Sequence, residues 1–367
     1  MKTVVKALEL SNAVLKVVKA VSTKGQNSIL ECIKLVCKGD NLTLIATDTE
    51  IAIEKTIKAE TFEEGETLVM GKLFAEFIKK LEEEEDLELY LEDNRLKITY
   101  SSSEGYIQAQ DAYEFPIITK DIKANSFTMQ QRDFKSMVYK TAFACLQDDS
   151  RPILKGCLLE SDLDMLTCVA IDGIRLAVCK MPVKEIYGKI KAIVPSRALN
   201  EIIRLLDSDD DMVTVVIQDK NLMVEVENTI LTARLLEGEY IDYKPIIPQT
   251  FLTEFKASKD LFENAVERAT VVAKSMKNLV KLDIKENYVN ITATSELGNV
   301  NENVLINLEG KDLSIAFNSK YILDCLKVID DDFIRVSLNT PISPCVIRPN
   351  SDENSLYFIL PLRVSNN

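Results

Sequence analysis

A pattern that returns three times at a long, nearly fixed period constrains this chain more than any other feature. Leu42-Thr43-Leu44-Ile45-Ala46-Thr47-Asp48 reads as a strand running into a corner. Ala170-Ile171-Asp172-Gly173-Ile174-Arg175-Leu176-Ala177-Val178 repeats it, 124 positions on from Asp48 to Asp172. Tyr288-Val289-Asn290-Ile291-Thr292-Ala293-Thr294-Ser295 repeats it again, 123 positions on from Asp172 to Ser295. The strand before each copy alternates apolar and polar residues, as in Ile33, Leu35 and Cys37 ahead of the Gly39-Asp40 turn, which makes each copy a hairpin. Each unit is expected to open with a helix. The apolar stripes are Leu10, Val14, Val17, Val18 and Val21, then Phe134, Met137, Val138, Ala142 and Cys145, then Leu261, Ala265, Ala269 and Val272.

A second helix follows each hairpin. Base, acid and base recur in it at matching offsets: Lys72, Glu76 and Lys79; Arg197, Glu201 and Arg204; Lys320, Asp324 and Lys327. An acidic cluster comes next in each unit (Glu82 to Asp86, Asp207 to Asp211, Asp330 to Asp332), where acids oppose the helix dipole, so propensity does not account for them. Proline-bearing stretches near 115–125 and 245–253 separate the units. The expectation is α+β: three repeated domains at 1–120, 126–246 and 250–367, with strand edges left at the ends that need partners.

Histidine is absent, which excludes Ser-His-Asp and Cys-His catalysis and the H-E-x-x-H zinc site. No phosphate-cradling glycine motif occurs among the 11 glycines. The aspartates at 207, 209 and 211 begin like a calcium loop, but Met212 and Gln218 stand where its Gly and Glu belong. The eight cysteines form no C-x-x-C pair and sit among apolar residues, as reduced thiols of a cytoplasmic protein would. No apolar run reaches the length of a membrane span, and Met1-Lys2-Thr3-Val4-Val5-Lys6 does not read as a signal peptide. No metal or cofactor is expected.

The net charge of −14 by itself argues against nucleic acid. Its distribution argues otherwise. The expected helices carry about twice as many bases as acids, among them Lys16, Lys19, Lys72, Lys79, Lys135, Lys140, Arg197, Arg204, Lys320 and Lys327. Each base alone reads as an ordinary solvated helix residue. A shared bias across all six helices suits sequence-blind contact with a polyanion's backbone. No aromatic-basic platform or recognition-helix motif points to base readout.

Ser150-Arg151-Pro152-Ile153-Leu154-Lys155-Gly156, the 170–178 stretch and Leu236-Glu237-Gly238-Glu239-Tyr240-Ile241-Asp242-Tyr243 carry a resemblance. Phe317-Asn318-Ser319-Lys320-Tyr321-Ile322-Leu323 and the late Leu360-Pro361-Leu362-Arg363 complete it. With these five motifs in order across three repeats, the chain resembles the bacterial sliding clamp family, the beta subunit of DNA polymerase III, over its whole length. The resemblance implies a head-to-tail homodimeric ring, with helices lining an inner face and antiparallel sheets outside, that encircles duplex DNA irrespective of sequence. It implies a non-catalytic processivity factor, cytoplasmic and nucleoid-associated. Its expected partners are the alpha-type catalytic subunit of the polymerase, the clamp loader, repair polymerases, mismatch repair proteins and ligase.

In the family these partners insert a short hydrophobic peptide. Carried over by motif, the pocket would comprise Leu154, Ile171, Gly173, Ile174, Arg175, Leu176, Ile246, Phe358 and Leu360, adjoined by Arg151, Asn318, Tyr321, Ile342, Pro344, Pro361 and Leu362. Each apolar member reads equally as core, and Arg175 equally as a structural pair for Asp172. Ile174, Ile241, Leu360 and Leu362 depart from the residues usual at those places, toward a more apolar pocket. Lys24 and Gln147 fall in loops that resemble DNA-contacting loops. Ring closure would set Tyr106 and Ile107 of the 97–110 strand against Val271 and Val272 of a second copy. Two other readings stand beside this one. One is a scaffold of the same fold that binds proteins but never encircles DNA. The other is a metal-dependent hydrolase using Asp48, Asp149 and Asp172, against which the replacement of the matched aspartate by Ser295 argues.

Overall fold

The computed structural model describes residues 1–23, 28–81, 83, 85–116, 125–206 and 210–363. Lys24, Glu82, Glu84, Asp207, Ser208, Asp209 and most of the first expected linker lie outside them. The described residues hold six α-helices: α1 (Ala7–Val17), α2 (Gly71–Lys79), α3 (Gln131–Thr141), α4 (Ser196–Leu205), α5 (Lys259–Ala273) and α6 (Ser319–Leu326).

A strand precedes the first helix of every repeat: Lys2–Lys6, Asn125–Gln130 and Thr253–Ser258. This corrects the expectation that each unit opens with a helix. The alternation is present in Phe127 and Met129, and in Phe255 and Ala257, which are buried. It spans only five or six residues before helical spacing takes over.

The stripe of α5 is also corrected. Leu261 is 60% exposed and Phe262 1%, and the buried face is Phe262, Ala265, Val266, Ala269 and Ala273, with Val272 only half-buried. A helix of 15 residues offers two apolar phases here. The bulkier aromatic takes the core because it removes more apolar surface from water.

By packing, the chain forms two compact units, residues 1–131 with 185–188 and 201–235, and residues 132–184 with 189–200 and 236–367. The first contains a 14-stranded sheet and the second a 12-stranded one, with every pairing antiparallel. One rule of pairing recurs in both. In the first unit the strand after the first corner, Ile51–Lys58, pairs with Thr229–Arg234, the last strand of the second repeat. In the second unit the strand after the second corner, Arg175–Pro182, pairs with Ser355–Ile359, the last strand of the third. Hydrogen-bonded sheets thus run across the expected repeat boundaries, and packing does not divide at them. α1 lies against α2 in the first unit, and α5 against α6 in the second.

All three corners are built alike. Asp48 Oδ1 accepts the backbone N–H groups of Glu50 (3.0 Å) and Ile51 (2.9 Å). Asp172 Oδ1 accepts those of Ile174 (2.8 Å) and Arg175 (2.9 Å). Ser295 Oγ accepts that of Leu297 at 3.2 Å. A short side-chain oxygen that satisfies turn amides is what Asp and Ser supply. The matched aspartates hold backbone.

The acids after the third second-helix have a similar task. Asp331 Oδ1 accepts Phe333 N–H, and its Oδ2 accepts both Ser351 N–H and Ser351 hydroxyl. The Asp331 carboxyl lies below its ordinary value, chiefly through the Ser351 hydroxyl bond.

Phe262 sits beside Phe255 with ring centroids 6.2 Å apart. Phe262→Ala should cost about 3–5 kcal/mol, while Leu261→Ala should stay within about 0.5 kcal/mol. Urea midpoints at matched protein concentration check the phase of α5: equal shifts would contradict it.

Candidate functional site: an apolar pocket behind an Asp-Gly corner

Four of the expected pocket residues, Leu154, Ile171, Leu176 and Phe358, meet in one buried cluster of the second unit. The cluster also holds Leu158, Val169, Val178, Ile193, Tyr243 and Val346, all buried. Leu154 comes from a short 3-10 turn (Pro152–Lys155), and the others mostly from strand faces. Others of the expected set are exposed: Gly173, Ile174 (43%), Ile246 (37%), Ile342 (70%) and Leu360 (36%). Tyr321, Pro344, Pro361 and Leu362 are half-buried. Leu360 N–H donates to Ile174 O (2.9 Å) and Leu362 N–H to Ala316 O (2.8 Å), so the late segment lies along the corner.

Arg175 departs from the expectation of a lining residue. Its side chain is 8% exposed and is held on several sides. Nε donates to Asp172 Oδ2 (3.0 Å), Nη1 to Asp324 Oδ2 (2.5 Å) and Nη2 to Phe143 O (3.0 Å). The Phe143 and Tyr321 rings lie 5.4 and 4.8 Å from the guanidinium. Burial works against this charge, but the hydrogen bond it donates to Asp324 and the field of Asp172 outweigh it, and the pKa is raised. A buried cation needs such partners, and removing one costs about 3–5 kcal/mol. The alternative of a structural pair to Asp172 therefore holds, with Asp324 as a second partner that sequence reasoning missed. The recurring acid of each second helix was the available signal.

Gly173 has a φ of +97°, a conformation that costs an L side chain energy. The Arg151 Nη2, which donates to Asp172 O at 3.3 Å, lies where a Cβ on Gly173 would come within 2.6 Å. Arg151, itself exposed, thus lies over the corner. Asn318 caps α6 by accepting the Lys320 N–H at 3.0 Å, so its oxygen is already engaged.

The segment after the second repeat is pinned. Tyr240 hydroxyl donates to Gly156 O (3.1 Å) and Val169 O (3.3 Å), and Tyr243 hydroxyl to Glu160 Oε1 (2.6 Å), where Lys244 Nζ also lies at 3.2 Å. Burial raises the Glu160 carboxyl, but the Tyr243 and Lys244 contacts more than offset it and leave it below its ordinary value.

Among the expected DNA contacts, Lys19, Lys72, Lys79, Gln147, Arg197, Arg204, Lys320 and Lys327 are exposed, and Lys16, Lys135 and Lys140 half-buried. All but Gln147 lie on or just beyond helices. Arg204 pairs with Glu201 of its own helix, and Gln147 Nε2 donates to Cys145 O at 3.1 Å. At the expected ring contact, Tyr106 is 45% and Val271 69% exposed, with Val272 half-buried. Ile107, at 5%, points into the core, because successive strand residues face opposite ways. It drops out as a surface residue.

Comparison with known proteins places the chain among relatives. Residues 1–119, 128–242 and 244–363 match, in order, the N-terminal, central and C-terminal domain models of the DNA polymerase III beta subunit. The beta sliding clamp of Halalkalibacterium halodurans is 32% identical over 362 residues, covering 94% of this chain and 95% of that one. That of Staphylococcus epidermidis is 30% identical, covering 94% of each. The crystal structure of the DNA polymerase sliding clamp from Bacillus subtilis superposes with a TM-score of 0.96 at 29% identity, over 99% of each chain. The DNA polymerase III beta subunit of Thermotoga maritima gives 0.93 at 30% identity, over 99% of this chain and 100% of that one.

Two outcomes follow from the pocket geometry. Gly173→Ala should cost about 1–2 kcal/mol from backbone strain and detach Arg151 from Asp172; urea denaturation reads the first and a crystal structure of the variant the second. The Glu160 pKa is depressed on folding, so the stability it contributes is present at neutral pH and is lost as pH falls below about 4.5 through the folded value. Tyr243→Phe should flatten that acid limb in a melting-temperature profile from pH 7 to 3; an unchanged limb contradicts the assignment.

Proposed function

The chain belongs to the DNA polymerase III beta subunit family, the beta sliding clamps, and from that membership we propose that it is a mobile tether on DNA. Two copies close head to tail into a ring around the duplex. The ring holds DNA by topology, and it carries the polymerase and other replication and repair proteins through short hydrophobic peptides seated in the pocket. The family is the non-catalytic partner of the polymerase, and no reaction is assigned to this chain. The observation that carries the reading is the match of all three repeats, in order, to the successive domains of one clamp family.

Domain limits of 1–120, 126–246 and 250–367 are consistent with those matches. The pocket assignment is supported by the buried cluster that holds Leu154, Ile171, Leu176 and Phe358, and by the exposure of the apolar Ile174, Ile246, Ile342 and Leu360. Leucine and phenylalanine anchors suit such walls, with main chain near Gly173 open to close approach.

The pairing rule supports ring closure. Twice, the strand that follows a corner pairs with the last strand of the next repeat. The strand after the third corner is Gly298–Gly310, and among the described residues its positions 298–305 pair with Tyr288–Ser295 alone. The last strand of the first repeat is Ser103–Gln110, and its positions 103–108 pair with Arg95–Tyr100 alone. A second copy completes the rule at both ends, with Tyr106 on one side and Val271 and Leu305 on the other.

The DNA contacts proposed are the exposed helix bases: Lys19, Lys72, Lys79, Arg197, Arg204, Lys320 and Lys327, with Lys16, Lys135 and Lys140 beside them. Solvated lysines and arginines bring phosphates near without binding them tightly, and salt screens them, which suits sliding. Among the described residues no helix is long and apolar enough to cross a membrane. The proposed location is the cytoplasm, at the nucleoid.

Light scattering after gel filtration tests the assembly. The protein should elute at twice 41.3 kDa, and Val271→Glu with Leu305→Lys should bring it to 41.3 kDa. A single-chain mass for the unsubstituted protein at micromolar concentration, or a dimer unmoved by both substitutions, contradicts the proposed interface.

A further inference from the structure

One recurring feature has no place in the tether reading: the acid in the middle of each second helix. Its three copies meet different surroundings. Glu76 is exposed. Glu201 Oε1 accepts from Arg204 of the same helix, and its Oε2 is buried without a partner. Asp324 Oδ2 instead accepts from Arg175, 149 residues away in sequence.

The difference lies in the corners. Three residues after the corner oxygen stand Ile51 in the first repeat, Arg175 in the second and Gly298 in the third. One corner of the three carries a cation, and it is the corner at the pocket.

Arg175 ties three things together. Its bonds to Asp172 and to Phe143 O stay within the second repeat. Its bond to Asp324 reaches α6 in the third, next to Tyr321, whose ring lies against the same guanidinium. With Asp324 gone, Arg175 keeps both second-repeat partners and loses its polar link to α6. The corner Gly173–Ile174 and α6 would then be joined without an ion pair, through the Arg175–Tyr321 ring contact, the pairing of Arg175–Pro182 with Ser355–Ile359 and the backbone bonds of Leu360 and Leu362.

From this geometry we infer that Asp324 is a positioning residue of the peptide pocket: through Arg175 it holds the Gly173–Ile174 corner at a set distance from Tyr321 on α6. Asp324 touches no peptide itself. The arginine–aspartate link is what makes the second corner, and not the first or third, a docking site. The inference rests on the peptide-pocket reading above and deepens it.

The test is a binding cycle on the full-length protein, using a short fluorescein-labelled peptide with leucine and phenylalanine anchors and reading fluorescence anisotropy. Measurements are made well below every variant's melting temperature. There the native fraction is close to one, so lost stability alone cannot weaken binding. Asp324→Ala should raise Kd by about 10-fold or more. Asp324→Asn, which keeps an acceptor but not the charge, should fall between. Arg175→Ala combined with Asp324→Ala should bind no more weakly than Arg175→Ala alone, because both break one link. A Kd for Asp324→Ala within about 2-fold of the unsubstituted protein overturns the inference, as do losses that simply add. Failure of the unsubstituted protein to bind the peptide at all takes down the pocket reading itself, and this inference with it.

Discussion

The corner oxygens of Asp48, Asp172 and Ser295 are small interactions on which the rest depends. Asp48 and Asp172 each satisfy two turn amides and Ser295 one, and so deliver the chain into a third strand. Those strands then extend the sheets: Ile51–Lys58 onto Thr229–Arg234, and Arg175–Pro182 onto Ser355–Ile359. A strand edge left bare is a template for pairing. In this chain the edges are used to join one repeat to the next. Applied a third time, the same rule calls for a second copy. In the proposed ring, oligomerisation would continue the fold through the same kind of backbone hydrogen bonds.

Charge is divided along the same lines. A chain with a net charge of −14 still carries exposed bases on or beside every second helix. The one buried arginine among the described residues, Arg175, is matched by two carboxylates, as a desolvated cation must be. The bases that remain in water attract phosphates weakly and at a distance. The buried one sets geometry. One residue type serves two ends because burial decides whether its charge is a field or a fixture.

Most of the fold was legible in the primary structure because the repeat multiplies every signal by three. Hairpins, second helices and corners were all readable, since alternation and helical spacing persist over seven or more residues there. What escaped was short or degenerate. The opening strands Lys2–Lys6, Asn125–Gln130 and Thr253–Ser258 end where a helix begins, so their alternation is cut off before it can be distinguished. The face of α5 was misjudged because Leu261 and Phe262 are adjacent, and only packing chooses between them. The expected pocket residues came from resemblance, and their burial could not: Leu154 is buried and Ile342 is 70% exposed, yet both read simply as apolar letters. The partnership of Asp324 with Arg175 joins residues 149 apart, and no local pattern encodes it.

The central claim is that the strand edges at 103–108 and 298–305 are joined by a second copy into a closed ring. Negative-stain imaging of particles diluted from well above micromolar concentration tests it most directly. The account predicts closed rings of six lobes around a central hole. Open three-lobed crescents as the dominant particle would contradict it, leaving a protein with this fold and this pocket but no means of encircling DNA.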